Sequence, residues 1–237
     1  MTAALFSLDG TLIDTETRHL AAWRVLCERY QVFHNDGLLR GFLGRRGEDV
    51  LKERAPRYFR GRSVETILSD LLDVYEDPKV KLPPVKPIPT AVAFMKRVHE
   101  SYTKTAVVSS SYTWWTWHYM EVADVWHLTT EVVTGEQVFE GKPNPVGFLL
   151  AAERLEVDPA DCVVFEDSVA GVKAAKKAGM ACVGVATTHP DHLLAEADRV
   201  VMDLSELEWP LEHPRPRRGR WGDPPEWLVQ RRGSRRR

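Results

Sequence analysis

Cysteine is scarce in this chain. Only Cys27, Cys162 and Cys182 occur in 237 residues, scattered and without metal-ligand spacing. That pattern excludes a disulfide framework and a cysteine zinc site, and it makes a reducing cytoplasm the default expectation. Long apolar runs are also missing. No stretch of 18 apolar residues occurs, so no membrane span is expected. The opening MTAALFSLDGTL lacks a basic region and a small-residue cleavage site, so a signal peptide is not expected either. Net charge is small, at -2, but unevenly placed. From Leu211 onward nine arginines face Glu212, Asp223 and Glu226, which gives +6 and leaves -8 on residues 1–210. A basic end rich in proline and glycine reads as a solvated, flexible tail over 209–237. Nucleic-acid binding through RRGSRRR is the disfavoured alternative for so short a basic stretch.

What remains is ordinary globular material, 43% hydrophobic and 28% charged, enough for one sizeable domain or a core with an insertion. The apolar run Ala3–Leu8, broken by Asp9-Gly10-Thr11, predicts a buried strand and a turn. Between about Thr15 and Lys81 the apolar residues fall at helical spacing, as in Leu20, Trp23, Leu26 and Cys27, and strand signals all but vanish. KLPPVKPIP (81–89) predicts a stiff connector back to the core. Beyond it strands and helices alternate. Helices are predicted near 90–100 (Thr90 as N-cap), 112–122, 145–155 and 169–178. Strands are predicted near 105–108, 131–134, 162–165, 181–185 and 199–202. Short, wholly apolar strands between helices imply a Rossmann-like doubly wound parallel α/β sheet with an inserted helical cap. The core then comprises residues 1–14 and 85–208, and the cap 15–84. Ligands of such sheets sit beyond the C-terminal strand ends.

Four clusters reach that edge. Asp9, beside the Gly10 turn, is a candidate proton donor and acceptor; taken alone, an Asp-Gly turn holding its own backbone explains it better. Ser109-Ser110-Ser111 offers hydroxyls and free N–H groups to an anion, or simply caps a helix. Lys142, held between Gly141 and Pro143 in GKPNP, is a fixed positive charge suited to a phosphoryl group. Glu166 and Asp167, adjacent at the end of an apolar strand, repel each other unless a hard cation such as Mg²⁺ compensates them; a solvated helix start is the alternative. On the helix after the serines, Trp114, Trp115, Trp117 and Tyr119 read first as packing. Trp114 or Trp115 could also wall a cleft or stack on a sugar.

In order and spacing, FSLDGTLIDTE, VVSSS, GKPNP and VVFEDSVAGVKAAKKAGM resemble the four motifs of the haloacid dehalogenase superfamily over roughly residues 3–207. His19 with Ala22-Trp23, and Gly44-Arg45-Arg46-Gly47-Glu48-Asp49, are similar to cap motifs of its β-phosphoglucomutase and sugar-phosphate phosphatase branch. The resemblance implies Mg²⁺-dependent phosphohydrolase chemistry on a small phosphorylated metabolite, with phosphomutase activity as the alternative. Asp9 would be the general acid/base and give the metal a backbone oxygen. Ser109, Ser110 and Lys142 would hold the phosphoryl group, Glu166 and Asp167 the metal, and His19 and Arg46 would contact substrate from the cap. One position departs. Where the family carries its nucleophilic aspartate, this sequence has Ser7. Serine is a poorer nucleophile near neutral pH, a weaker metal ligand, and forms a stable phosphate ester. Gly47 stands where the cap arginine is expected, which counts against mutase chemistry. A phosphometabolite-binding protein that kept the pocket and lost turnover is the reading from another class.

Overall fold

The computed structural model describes residues 2–211. The predicted Arg-rich tail therefore lies outside the described residues from 212 onward. Six parallel strands form the main sheet: β1 (Ala3–Phe6), β4 (Lys104–Val108), β5 (Glu131–Val133), β6 (Cys162–Glu166), β7 (Ala181–Val185) and β8 (Arg199–Val201), in the order β5-β4-β1-β6-β7-β8. β1, β6 and β7 are buried along their whole length, as wholly apolar runs require in a sheet covered on both faces.

Helices α5 (Pro89–Glu100) and α6 (Thr113–Val122) cover one face through Phe94, Met95, Tyr119 and Met120. Helices α7 (Val146–Arg154) and α8 (Val169–Lys177) cover the other through Phe148, Ala151, Val172 and Ala175. Chain order reverses around the central β1. Its neighbours β4 and β6 pair with it in register, Phe6 opposite both Val107 and Phe165. The chain leaving β1 therefore emerges between the chains leaving β4 and β6, and the site is built in that crevice.

Helices α1 (Glu16–Arg29), α2 (Asp36–Arg40), α3 (Gly47–Tyr58) and α4 (Val64–Glu76) follow the first strand. They share a separate core that includes Trp23, Leu26, Leu39, Val50, Leu51 and Ile67. A short antiparallel pair, β2 (Ile13–Asp14) with β3 (Lys86–Pro87), ties the two ends of this insertion together. Residues 81–89 are thus more than a connector, since they contribute a strand and the first residue of α5. The predicted Thr90 cap is corrected as well. Ile88 is the N-cap and Pro89 opens the helix, a position that suits proline because its missing N–H would be unsatisfied anyway. The Thr90 hydroxyl instead donates to Asp203 at 2.6 Å. Among the described residues, no helix is long and apolar enough to cross a membrane.

Candidate active site

Because β1 lies between β4 and β6, the residues just past the three strand ends meet. Ser7 follows β1, Ser109 follows β4, and Glu166 ends β6. Lys142 enters from the loop before α7, and its ammonium joins all three strand ends. It donates to the Ser7 hydroxyl at 3.1 Å, to the Val108 carbonyl at 3.3 Å and to Glu166 Oε1 at 2.5 Å. Lys142, Ser7 and Glu166 are all buried. A buried ammonium needs this complete set of acceptors, since desolvation would otherwise cost more than its attraction to one carboxylate returns.

Asp9 sits beside them with both oxygens occupied. Thr15 donates to Oδ1 at 2.8 Å, while Ser109 and Ser111 each donate to Oδ2 at 3.0 Å. His19 Nε2 lies 3.6 Å from Oδ1, and its Nδ1 is 2.5 Å from the Tyr75 hydroxyl. Burial opposes ionisation of Asp9, but His19, Thr15 and Ser109 outweigh it and hold the carboxyl at about 2. Asp9 is therefore an anion in the resting protein, and it must collect a proton before it can act as an acid.

The remaining acids are crowded. Glu166 Oε2 accepts from the Ser168 N–H and hydroxyl, and that hydroxyl also accepts from Gly171 N–H as the cap of α8. Asp167 Oδ1 accepts from Thr11 at 2.8 Å; the Thr188 hydroxyl also favours its ionised form, but its buried Oδ2 makes no hydrogen bond of good geometry. Burial, and then repulsion from Glu166, pushes the Asp167 carboxyl up to about 7. Burial and the same acids raise Glu16, at the start of α1, well above the carboxylate range; its Oε2 is likewise unpartnered. Two glycines permit the crowding. Gly10 has φ +73°, and a Cβ there would collide with Asp167 Oδ2; a Cβ on Gly171 would fall inside the Glu166 carboxyl. Gly171→Ala is accordingly expected to push Glu166 off Lys142 and destabilise the protein by about 1–3 kcal/mol, as overpacking does. Urea denaturation checks this, and an unchanged midpoint would refute the close packing.

Among the described residues, no three His, Cys, Asp or Glu side chains gather as a metal site. Ser7 is one physical reason, because it puts a neutral hydroxyl where a third anionic oxygen would stand. The donors still fit a hard cation. An unpartnered, buried carboxylate oxygen on Asp167 beside a second carboxylate is the pattern such an ion relieves, and Mg²⁺ commonly takes only one or two protein carboxylates.

The other predicted residues divide. Ser110 lines the cleft together with Lys142 and His19. The serine triplet does not cap α6, whose N-cap is Tyr112; Ser109 and Ser111 turn their hydroxyls to Asp9 instead. Arg46, expected to meet substrate, has no donor left for it in this conformation. Its Nε and Nη2 bind Asp49 at 2.9 and 2.6 Å, Nη1 binds the carbonyls of Gly135 and Val138, and Nη2 also binds that of Phe139. Asp49 Oδ2 accepts from Gly141 N–H in turn. The pair latches the helical insertion to loop 135–141. Of the tryptophans, Trp115 lines the cleft, while Trp114 and Trp117 are exposed. Sequence reasoning missed Glu16 and Tyr75. The Glu of DTE, directly after the first motif, was the signal available for Glu16.

The latch carries a pH dependence. Burial works against ionisation of Asp49, but Arg46 and the Gly141 N–H prevail and hold it below its usual range. A depressed carboxyl contributes stability that is present above its unfolded value of about 3.9 and lost as pH falls through the folded value. Amide exchange in loop 135–141, corrected for intrinsic rates, should rise below about pH 4. Asp49→Ala should abolish the step. Undiminished protection at pH 3 would refute the latch.

Comparison with known proteins shows the family. The sequence model described as "Haloacid dehalogenase-like hydrolase" matches residues 4–185. Validoxylamine A 7'-phosphate phosphatase of Streptomyces hygroscopicus subsp. limoneus is 34% identical over 207 residues, 87% of this chain and 96% of that protein. The β-phosphoglucomutase of Bacillus subtilis is 30% identical over 220 residues, covering 90% and 94%. The phosphorylated carbohydrates phosphatase of Thermotoga maritima is 34% identical over 191 residues, covering 76% and 82%. Among solved structures, a hydrolase from Pseudomonas syringae superposes with a TM-score of 0.76 at 22% identity, covering 86% of this chain and 95% of that one, a likeness of fold. The chain belongs to the haloacid dehalogenase-like hydrolases, in their β-phosphoglucomutase-like branch.

Proposed function

We propose that this chain carries a phosphohydrolase site for small phosphorylated sugars whose turnover is limited by Ser7. The observation that carries the reading is the Lys142 ammonium, buried between Ser7 Oγ and Glu166 in the cleft that Asp9 also lines. Such a cation at the strand ends binds and neutralises a phosphoryl group. Relatives named for phosphorylated carbohydrates, validoxylamine A 7'-phosphate and fructose 1-phosphate support sugar phosphates as the class.

Ser7 explains the limit. Its hydroxyl accepts from an ammonium, and among the described residues no carboxylate or imidazole hydrogen-bonds to it. The Asp9 oxygens are already committed to Thr15, Ser109 and Ser111. With no base to take its proton, Ser7 is not an activated nucleophile. Asp9 remains able to relay a proton toward the leaving oxygen, with His19 as its neighbour on the Oδ1 side. Asp167 and the Asp9 carbonyl would hold Mg²⁺, with Glu166 behind them. When bound, the ion would neutralise charge on the phosphoryl oxygens.

The unactivated Ser7 also favours a second reading, a sugar-phosphate-binding protein without turnover. Ser7→Asp, assayed with p-nitrophenyl phosphate and Mg²⁺, separates the two. A large gain in rate supports the hydrolase. Intact phosphate binding with no gain supports the binding protein.

A further inference from the structure

The helical insertion carries ten arginines over residues 15–84. Seven of them reach a carboxylate or a backbone carbonyl. The side chains of Arg57, Arg60 and Arg62 reach neither among the described residues, and the stretch 55–64 that holds them contains no acid. These three line one open concavity of about 500 Å³ together with Arg29, Tyr30 and Tyr58, a size that small-molecule sites commonly have. None of its lining residues lines the strand-end cleft. The helix α1 separates the two, since His19 lies near its start and Arg29 at its end, about 15 Å apart along the axis.

Two of these guanidiniums are held in place. Phe59, buried in the core of the insertion, anchors the turn 59–62, which the Arg62 N–H closes onto the Phe59 carbonyl at 3.2 Å. Arg62 lies over the Tyr30 ring at 4.7 Å, and Arg57 over the Tyr58 ring at 5.3 Å. Stacking occupies the flat face of a guanidinium and leaves its in-plane N–H groups for an oxyanion, which such a fork grips through two bonds. The acids that touch the lining are already engaged: Asp77 pairs with Arg29 at 2.9 Å, and Asp70 accepts the Tyr30 hydroxyl. Arg29 and Arg57, in the last turns of α1 and α3, also answer the carbonyl ends of those helices. Helix ends do not account for Arg60 and Arg62. Arg62 even stands just before the Ser63 cap of α4, where a cation is unfavourable.

We propose that this concavity is a second anion site, separate from the strand-end cleft, and that its ligand is a chain of two or more phosphoryl groups. Three unanswered guanidiniums in one concavity match a ligand with several negative charges, and a lone phosphate would leave part of that charge unmet. The Tyr30 and Tyr58 faces that the arginines cover are closed to a base, so the site reads the phosphoryl chain and not what it is attached to. Free polyphosphate and the triphosphate of a nucleotide are then equivalent ligands. Neither the chemistry of the cleft nor Ser7 enters this proposal.

The full chain is titrated in metal-free buffer at one salt concentration with tripolyphosphate, ATP and orthophosphate, by calorimetry and by amide NMR. Tripolyphosphate is expected to shift the amides of residues 57–62 and to bind there about tenfold or more tighter than orthophosphate. ATP should match it within about threefold. Arg60→Gln combined with Arg62→Gln should weaken tripolyphosphate by about tenfold or more, since each guanidinium supplies charge-assisted bonds. Arg60→Gln alone should already weaken it. That side chain makes no hydrogen bond, ion pair or ring contact among the described residues, so its loss does not act through the fold. If the double variant binds tripolyphosphate as the parent does, or if only the amides of the cleft residues Ser7, Ser110 and Lys142 shift, the proposal fails. It fails equally if ATP binds about tenfold tighter than tripolyphosphate, which would mean that a base is read, or if a single-stranded oligonucleotide shifts residues 57–62 and tripolyphosphate does not.

Discussion

Replacing Ser7 by aspartate is expected to raise hydrolysis of p-nitrophenyl phosphate in the presence of Mg²⁺ by about 10⁴-fold or more, roughly 5 kcal/mol of barrier. Three effects add in one substitution. A carboxylate attacks phosphorus without first losing a proton, which Ser7 cannot shed to any neighbour. It places an anionic oxygen beside Asp167, which tightens Mg²⁺. It also forms a mixed anhydride that water cleaves, where serine would form a lasting ester. The buried Lys142 ammonium, 3.1 Å from the present hydroxyl, already offers the positive charge that a new carboxylate needs. Ser7→Asn separates charge from shape, since it matches aspartate in size but is neutral, and it should stay at the parent rate. If Ser7→Asp binds orthophosphate and Mg²⁺ and still shows no gain, the pocket is not poised for transfer and the binding-protein reading stands.

That so much is expected of a single residue was legible before any coordinates, because the motif around Ser7 differs from its family at one position. The sheet was legible for a related reason. Runs such as Val163-Val164-Phe165 are too short and too apolar to be anything but buried strands between helices, and their ends mark where ligands gather. Lys142, Glu166 and Asp9 became candidates by that rule, and their roles came only from the resemblance. Arg46 shows where it stops. Its role depends on which loop lies above it, and the contact with carbonyls 135–139 spans some 90 residues of chain with no local signature. Arg45, one position earlier, also lines the cleft but pairs with Glu53 instead, and the sequence offers nothing to choose between adjacent arginines in a loop. Thr90 failed for a local reason: a proline at the first helical position overrode a good capping residue. Tyr75 was missed because it acts on another side chain, His19, across a packed interface.

Lys142→Met carries the second large effect, and it tests the electrostatics of the site apart from the chemistry. Methionine matches the lysine stem in length and keeps its packing on Phe148, over which the ammonium lies at 5.1 Å. What disappears is the charge facing Glu166. One carboxylate oxygen then stays buried without its partner, held only through Oε2 by Ser168. Breaking one side of a buried pair typically costs about 3–5 kcal/mol, which denaturant unfolding in metal-free buffer would register as a large drop in midpoint. Adding Glu166→Gln removes the stranded charge, so the double variant should regain stability over the single one. The coupling between the two positions should be about 1–3 kcal/mol. Phosphate binding should follow a different rule, lost in the single variant and still lost in the double one, because the ammonium serves the ligand as well as the fold. A cost below about 1 kcal/mol for Lys142→Met would mean that Glu166 was never dependent on it. A double variant that binds orthophosphate as the parent does would remove Lys142 from the phosphoryl site altogether.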